Sequence, residues 1–480
     1  MALVVATLAT LVGVSTSLAA TERARARASD WTRFGYDAAR HNAAPSTGGI
    51  TAGNLGRLVR RQIRLDGTVD SSPIYLAGAR VGGARHDTLF VTTTYGKTLA
   101  VDARSGRILW RYVPPGISGW VGTSQITTAT PVADPGRAYV YTASPDGRVH
   151  KLAVASGREI TSAGWPVTVT LDPTHEKLAS AFNFSRGNVL VTTGGYIGDA
   201  PPYQGHVVAI RAASGAIVSV FNSLCSDRRQ LIVPSSCSAS DSAIWARSGA
   251  VVEPDSGNLL VATGNGPWNG STNWGDSVLE LSPDASRLLQ NWTPTNQREL
   301  ESSDADLGST APALLGNGLA LQAGKEGKLV LLDLRRLNGR TGSSGATTGG
   351  ELQTLPTPGG DAVFTAPAVW RSAGRAWAFV ATSGATAAYR VSGRRVVRVW
   401  QNDFGGTSPV VAGELLFVYY PGGGLRIYRP TSPRPLVTLA SGGGHWNSPI
   451  VADGRIALPE GDANQHETTG VLDIWSLRRS

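Results

Sequence analysis

The sequence predicts an all-β chain, an eight-bladed β-propeller of four-stranded antiparallel blades closed by an N-terminal strand. Three observations carry this. Eight times a short apolar run opens behind a small or hydroxyl residue, six times with proline next: Ser72-Pro73, Thr130-Pro131, Ala179-Ser180, Ser248-Gly249, Ala311-Pro312, Ala366-Pro367, Ser408-Pro409 and Ser448-Pro449. The copies stand roughly 40–70 residues apart, a period at which one supersecondary unit is stacked or arrayed. Glycine is abundant at 58 residues, 16% of residues are charged and 41% are hydrophobic, which suits turn-rich β structure with a filled core and excludes disorder. The 480 residues could make several ordinary domains. Continuous repetition argues for one closed ring instead, because a propeller grows by adding blades.

Residues 1–20 read as a signal peptide or N-terminal anchor. Ala2 to Val14 is mostly apolar and Ser17-Leu18-Ala19 offers a small-x-small cleavage site. No Lys or Arg precedes the apolar run, and about 19 such residues just span a bilayer, so both readings stay open. Either places the chain outside the cytoplasm: secreted, periplasmic or on the cell surface. No other segment is long and apolar enough to span. Residues 21–56 are a lead segment, with Arg23, Arg25 and Arg27 near its start. The propeller is expected over 57–480.

The first blade is the clearest. Asp70–Leu76 is an extended run, Thr88–Thr94 is rich in Thr and Val, and Tyr95-Gly96 turns the chain. Thr98–Asp102 follows, then the turn Ser105-Gly106 and a fourth strand, Arg107–Tyr112. Later copies of the turn decay: Ala153–Arg158 and Ala209–Ala216 keep Ser-Gly, Leu279–Trp292 and Ala388–Trp400 keep a Trp, and Leu331–Asp333 keeps the Asp. Arg340–Gly350 reads as an exposed loop in the fifth blade. The last copy, Val471–Leu477, ends the chain one strand short. Leu58–Leu65 has strand character and stands where a fourth strand is missing, so it is expected to close the ring and remove the open sheet edges.

Net charge is +9, carried by 39 arginines and five lysines spread along the chain. No basic run is interleaved with stacking aromatics, so nucleic acid is not an expected partner. Cys225 and Cys237 are the sole cysteines. In an exported chain they are expected to pair, and closing so short a loop stabilises by about 3 kcal/mol. No zinc spacing, P-loop, dinucleotide fingerprint or Ser/His/Asp order is present. His150 and His175 read as hydrogen-bonded structural residues.

The segment Ala100-Val101-Asp102-Ala103-Arg104-Ser105-Gly106-Arg107-Ile108-Leu109-Trp110 resembles the signature of the PQQ enzyme repeat family, Ala-x-Asp-x-x-Thr/Ser-Gly-x-x-x-Trp. Its physics is legible: Asp caps the turn, Gly supplies positive φ and Trp wedges between blades. Asp30–Asn42 resembles the N-terminal lead of the same family. Thr263-Gly264-Asn265-Gly266-Pro267-Trp268-Asn269-Gly270, followed by Gly275-Asp276, is similar to a loop of PQQ-dependent alcohol dehydrogenases. The resemblance implies Asn265 as a Ca²⁺ ligand beside the quinone, with Trp268 in the same cofactor loop. It implies Asp306, or else Asp304, as the base that takes an alcohol proton, and Lys325 in Ala323-Gly324-Lys325-Glu326-Gly327 as the quinone contact. The family's second calcium ligand is a Glu in a loop matching 194–206. This chain has no Glu there, and Asp199 is the carboxylate available. The family's adjacent cysteine pair is also absent.

The function expected is therefore an exported PQQ-like propeller whose polar central funnel binds a small ligand or cation, as a divergent quinoprotein. The alternatives are an active PQQ- and Ca²⁺-dependent alcohol or sugar dehydrogenase, and a protein-interaction scaffold of the cell envelope. The loops between second and third strands and the links between blades share one face. The quinoprotein reading requires Asn265, Asp306 and Lys325 to converge there within about 8 Å.

Overall fold

The computed structural model describes residues 29–337 and 346–478. The expected export segment, the three early arginines and residues 340–345 of the expected loop lie outside the described residues. Eight antiparallel sheets form the ring, each built around four strands in simple up-and-down order. The first blade holds Ile74–Val81, Ala84–Thr92, Thr98–Asp102 and Ile108–Tyr112. Its first strand starts four residues later than the run Asp70–Leu76 suggests. Pro73 has no N–H to give a ladder, Ser72 N donates instead to Thr130 Oγ1 of the next link (3.2 Å), and Asp70 turns into the funnel.

Every repeat copy sits just before the innermost strand of its blade. There the small residues let the strands crowd the axis, and their hydroxyls tie one blade to the next. Ser72 Oγ meets Ser448 Oγ at 2.5 Å, and Ser408 Oγ accepts from Ala366 N at 3.0 Å. The turn signature behaves as its chemistry dictates. Asp102 Oδ1 accepts from the N–H groups of Arg104 (2.9 Å) and Ser105 (2.7 Å). Trp110 reaches into the second blade, donating from Nε1 to Val154 O at 2.9 Å. It lies against Gly157, where a Cβ would stand 2.5 Å from the indole. The turn of the sixth blade reuses the device: Trp400 Nε1 donates to Pro430 O at 2.9 Å.

The ring closes as expected. Leu58–Leu65 pairs antiparallel with Gly470–Leu477 over its whole length, from Leu58 opposite Leu477 to Leu65 opposite Gly470. Arg60 of the closing strand reaches Glu460 (2.8 Å) and Asp473 (2.7 Å) of the last blade. The Cys225–Cys237 disulfide is formed. Among the described residues no helix is long and apolar enough to cross a membrane.

The lead segment does something its sequence does not announce. It crosses the face opposite the funnel and binds blade after blade. Trp31 and Tyr75 exchange two backbone bonds, Ala133 N donates to Thr32 O, Val252 N to Ala38 O, Val369 N to His41 O, Val411 N to Asn42 O, and Gly454 N to Thr47 O. Ala39 packs with Leu314 of the fifth blade. Phe34 is 3% exposed and is clamped between Ala181 and Ala366, which lead into the third and sixth blades. Beside it the buried Arg40 guanidinium donates to Phe34 O (2.6 Å), Ala181 O (3.2 Å) and Phe182 O (2.9 Å). The segment stoppers the axial channel, so the funnel on the other face is blind.

Candidate functional site

The funnel is a cavity of about 380 Å³. Its walls come from the links and second-to-third-strand loops of most of the blades, as antiparallel order requires. Asn265, Asp304, Asp306, Lys325 and Asp199 all line it.

Four of these are joined directly. The backbone N–H of Asn265 donates to Asp306 Oδ1 at 2.7 Å. Lys325 Nζ lies 2.5 Å from Asp306 Oδ2 and 2.8 Å from Asp304 Oδ1, and Lys325 N donates to Asp306 O at 2.9 Å. The convergence required of Asn265, Asp306 and Lys325 is met. Two glycines make it possible. A Cβ on Gly264 would stand 2.2 Å from Asp306 Oδ1, and one on Gly308 would stand 2.4 Å from Gly264 N. Gly264→Ala is therefore expected to push the Asp306 carboxylate out of place, costing about 2 kcal/mol by overpacking. Denaturant melts should show a shifted midpoint with an intact β spectrum; a midpoint equal to the parent's would mean that Asp306 is not held by this contact.

Burial raises the Asp306 carboxyl above the usual carboxylate range, against the pull of Lys325. Burial works against the Lys325 ammonium too, but Asp306 and Asp304 outweigh it and hold its pKa above the ordinary lysine value. Behind them Asp276 is fully buried. Burial, with Asp306 adding to it, pushes its carboxyl up to about 8, so at neutral pH it is mostly the uncharged acid. Its Oδ1 accepts from Leu307 N at 3.1 Å. Asp199 is exposed at the wall and accepts from the Tyr203 hydroxyl at 3.1 Å. Trp268 is not brought to the funnel. It bridges to Trp274 in its own loop and packs on the core of the fourth blade.

The other wall is aromatic and basic. Trp245, Phe364 and Trp446 form one cluster, with centroids 5.5 Å apart for the two indoles and 5.9 Å for the stacked pair Phe364 and Trp446. His445 stacks on Trp446 at 4.0 Å. Arg247 lies over the Trp446 ring at 5.6 Å and pairs with the buried Asp70 at 3.4 Å. Burial alone would raise the Asp70 carboxyl, but His445 (2.8 Å from Oδ2) and Arg247 outweigh it and bring it to about 2. Lys325 lies 5.8 Å from the Trp245 ring centre and Lys177 5.7 Å from that of Tyr196.

Solved structures share this architecture. The quinohemoprotein alcohol dehydrogenase of Comamonas testosteroni matches with a TM-score of 0.67 and 17% identity, covering 95% of this chain and 82% of that one. A europium-containing methanol dehydrogenase gives 0.67 and 16%, covering 95% and 100%. BamB of Moraxella catarrhalis gives 0.54 and 15%, covering 88% and 98%. The family model described as outer membrane protein assembly factor BamB matches residues 54–221. The chain has the eight-bladed β-propeller fold that these structures share. No curated protein matches its sequence significantly.

Within this propeller the sequence reading passed over Asp70, Lys177, Trp245, Arg247, Phe364 and Trp446. A signal for most of them existed. Asp70, Thr128, Lys177, Phe364 and Trp446 each stand two residues before a repeat copy, and each lines the funnel. Position −2 of the repeat is the point where the link turns down into the innermost strand, so its side chain meets the axis. The same propeller holds a Ser–His–Glu chain in its second blade: Ser144 Oγ lies 2.6 Å from His150 Nε2, and His150 Nδ1 lies 2.5 Å from Glu159. Ser144 is fully buried, so the chain serves as internal hydrogen bonding, in line with a structural His150.

Proposed function

We propose that the blind funnel binds a small, flat, anionic, oxygen-rich molecule, with pyrroloquinoline quinone as the example to test first. The carrying observation is the pairing, in one cavity, of the Trp245–Phe364–Trp446 cluster with the cations of Lys177, Arg247 and Lys325. Aromatic faces stack on a flat ligand, and half-buried cations attract carboxylates more strongly than exposed ones do. The dehydrogenase resemblance supports the same ligand. When bound, a quinone supplies a two-electron acceptor. This chain's residues supply the rest: Asp306 as the group that holds a proton at Oδ1 or Oδ2, Lys325 as its positioning cation, and the stoppered floor that excludes through-flow of water.

The donors present do not make a calcium site as arranged. Calcium takes six to eight oxygens. Here Lys325 already lies between Asp304 and Asp306, and Asp199 is engaged with Tyr203. A cation reaches the Asp304–Asp306 pair by displacing Lys325.

The test is titration of purified protein with the quinone, read by tryptophan fluorescence and calorimetry, with and without Ca²⁺. Saturable binding that weakens about tenfold in Trp446→Ala, the worth of one aromatic contact, is expected. Absence of binding at either cation condition would reject the ligand. Alcohol-dependent dye reduction by the loaded protein, lost in Asp306→Asn, separates a dehydrogenase from a binding protein.

The scaffold reading keeps one specific support, the BamB model match, and a second in the apolar funnel rim. Val121 (41% exposed), Leu171 (47%) and Ile197 (69%) stand on that face. The disulfide and the fold are compatible with an extracytoplasmic protein, and we place the chain there.

A further inference from the structure

Four of the five lysine amines are tied down. Lys97 Nζ donates to Asp66 O at 2.7 Å, Lys151 Nζ to Ala212 O at 2.8 Å, Lys325 binds Asp304 and Asp306, and Lys328 binds Glu326. Lys177 differs. Its backbone is held on both sides by Gly194, with N···O distances of 2.6 and 3.0 Å, yet among the described residues its amine has no hydrogen bond or ion pair; it lies 5.7 Å from the Tyr196 ring centre and lines the funnel. It is a fixed stem with a free nucleophile at the wall of a blind cavity.

We propose that Lys177 is a covalent capture site for small aldehydes or ketones that carry an anionic group, held in the funnel as a Schiff base. The amine nitrogen adds to the carbonyl carbon, and the carbonyl π pair moves to oxygen. The carbinolamine then loses that oxygen as water, together with the two protons that began on nitrogen, leaving a C=N bond. No oxidant or reductant is needed. The surroundings suit each requirement. Burial and the facing Arg247 lower the Lys177 amine to about 8, against the weaker pull of Asp70 and Asp199. Relative to an ordinary lysine, that leaves a much larger share of neutral amine at neutral pH. Arg247 offers the anionic group a partner, and the Phe364–Trp446 stack offers a flat carbonyl compound a surface. Tyr196, Tyr203 and His445 are further titratable groups lining the same cavity.

This inference rests on the funnel being a ligand site, and the experiment separates the two. Full-length protein is incubated with pyridoxal 5′-phosphate, reduced with borohydride, digested and mapped by mass spectrometry. Pyridoxine 5′-phosphate, which has an alcohol in place of the aldehyde, is titrated alongside by tryptophan fluorescence. Expected are about one adduct per chain on Lys177, at least tenfold above any other lysine, and its loss in Lys177→Arg with the β spectrum unchanged. Adducts spread evenly over Lys97, Lys151 and Lys328, or none on Lys177 while the alcohol analogue still binds, would overturn the covalent step and leave the funnel reading standing. Binding of neither compound would overturn both. If Lys177→Arg fails to fold, the position of the adduct in the parent protein decides by itself.

Discussion

Arg40→Met is expected to destabilise the propeller by about 4 kcal/mol. Arg40 is 3% exposed and its guanidinium serves three carbonyls, those of Phe34, Ala181 and Phe182. Two effects oppose each other. Burial, with Arg33 adding to it, holds the Arg40 pKa well below its ordinary value, so removing the charge relieves a desolvation cost. The substitution also leaves three buried carbonyls without donors, each costing about 1–3 kcal/mol. Methionine fills most of the volume and supplies no donor, so the orphaned acceptors win. The site matters because those carbonyls belong to the stopper and to the link entering the third blade. Urea unfolding of parent and variant measures the difference. Equal midpoints would mean that water or backbone adjustment satisfies the carbonyls and that Arg40 does not hold the stopper.

The second large effect is pH-dependent. His206 and Glu176 are both fully buried, with Nε2 and Oε2 3.0 Å apart, and His206 Nδ1 lies 2.7 Å from Asn222 Oδ1. Burial alone would lower the His206 pKa, but Glu176 outweighs it and raises it above the ordinary 6.5. A histidine raised in the folded state stabilises fully below its unfolded pKa, near 6.5, and that contribution fades as pH climbs through the folded value. Glu176→Gln removes the charge from the pair and leaves a buried imidazolium unpaired, at a cost of about 3 kcal/mol at pH 6. The gap between parent and variant is expected to narrow steadily as pH rises above 6.5. Urea midpoints across that range test it, and a gap independent of pH would show that His206 is neutral throughout. Glu176 also accepts from Gln204 N at 3.1 Å, so the pair pins the 194–205 loop against the link that carries Lys177.

Much of the fold was legible because its signals are local. A small residue before the innermost strand, an Asp–Ser–Gly turn and a wedge Trp each act within a few residues of where they are written. The missing last strand was legible by subtraction. The acidic and basic half of the site was legible as well, because Asn265, Asp306 and Lys325 sit in loops whose face follows from antiparallel order. Trp268 shared that loop and the same motif, yet its indole packs on the apolar core between the third and fourth blades, because burying a large ring there gains more than exposing it in a polar funnel.

The sequence by itself determined the repeat, the blade count, the closing strand, the Cys225–Cys237 pairing and the loops that share a face. Tertiary structure alone decided which side chains meet. Asp70 and His445 are separated by 375 residues and lie 2.8 Å apart, and Trp245 packs at a tilt against rings of two other links. Such contacts depend on the angle at which each link turns into the axis, which no local pattern encodes. The stopper is the sharpest case. Its residues read only as a lead segment, and only closure of the ring creates the axial hole that Phe34 and Arg40 fill.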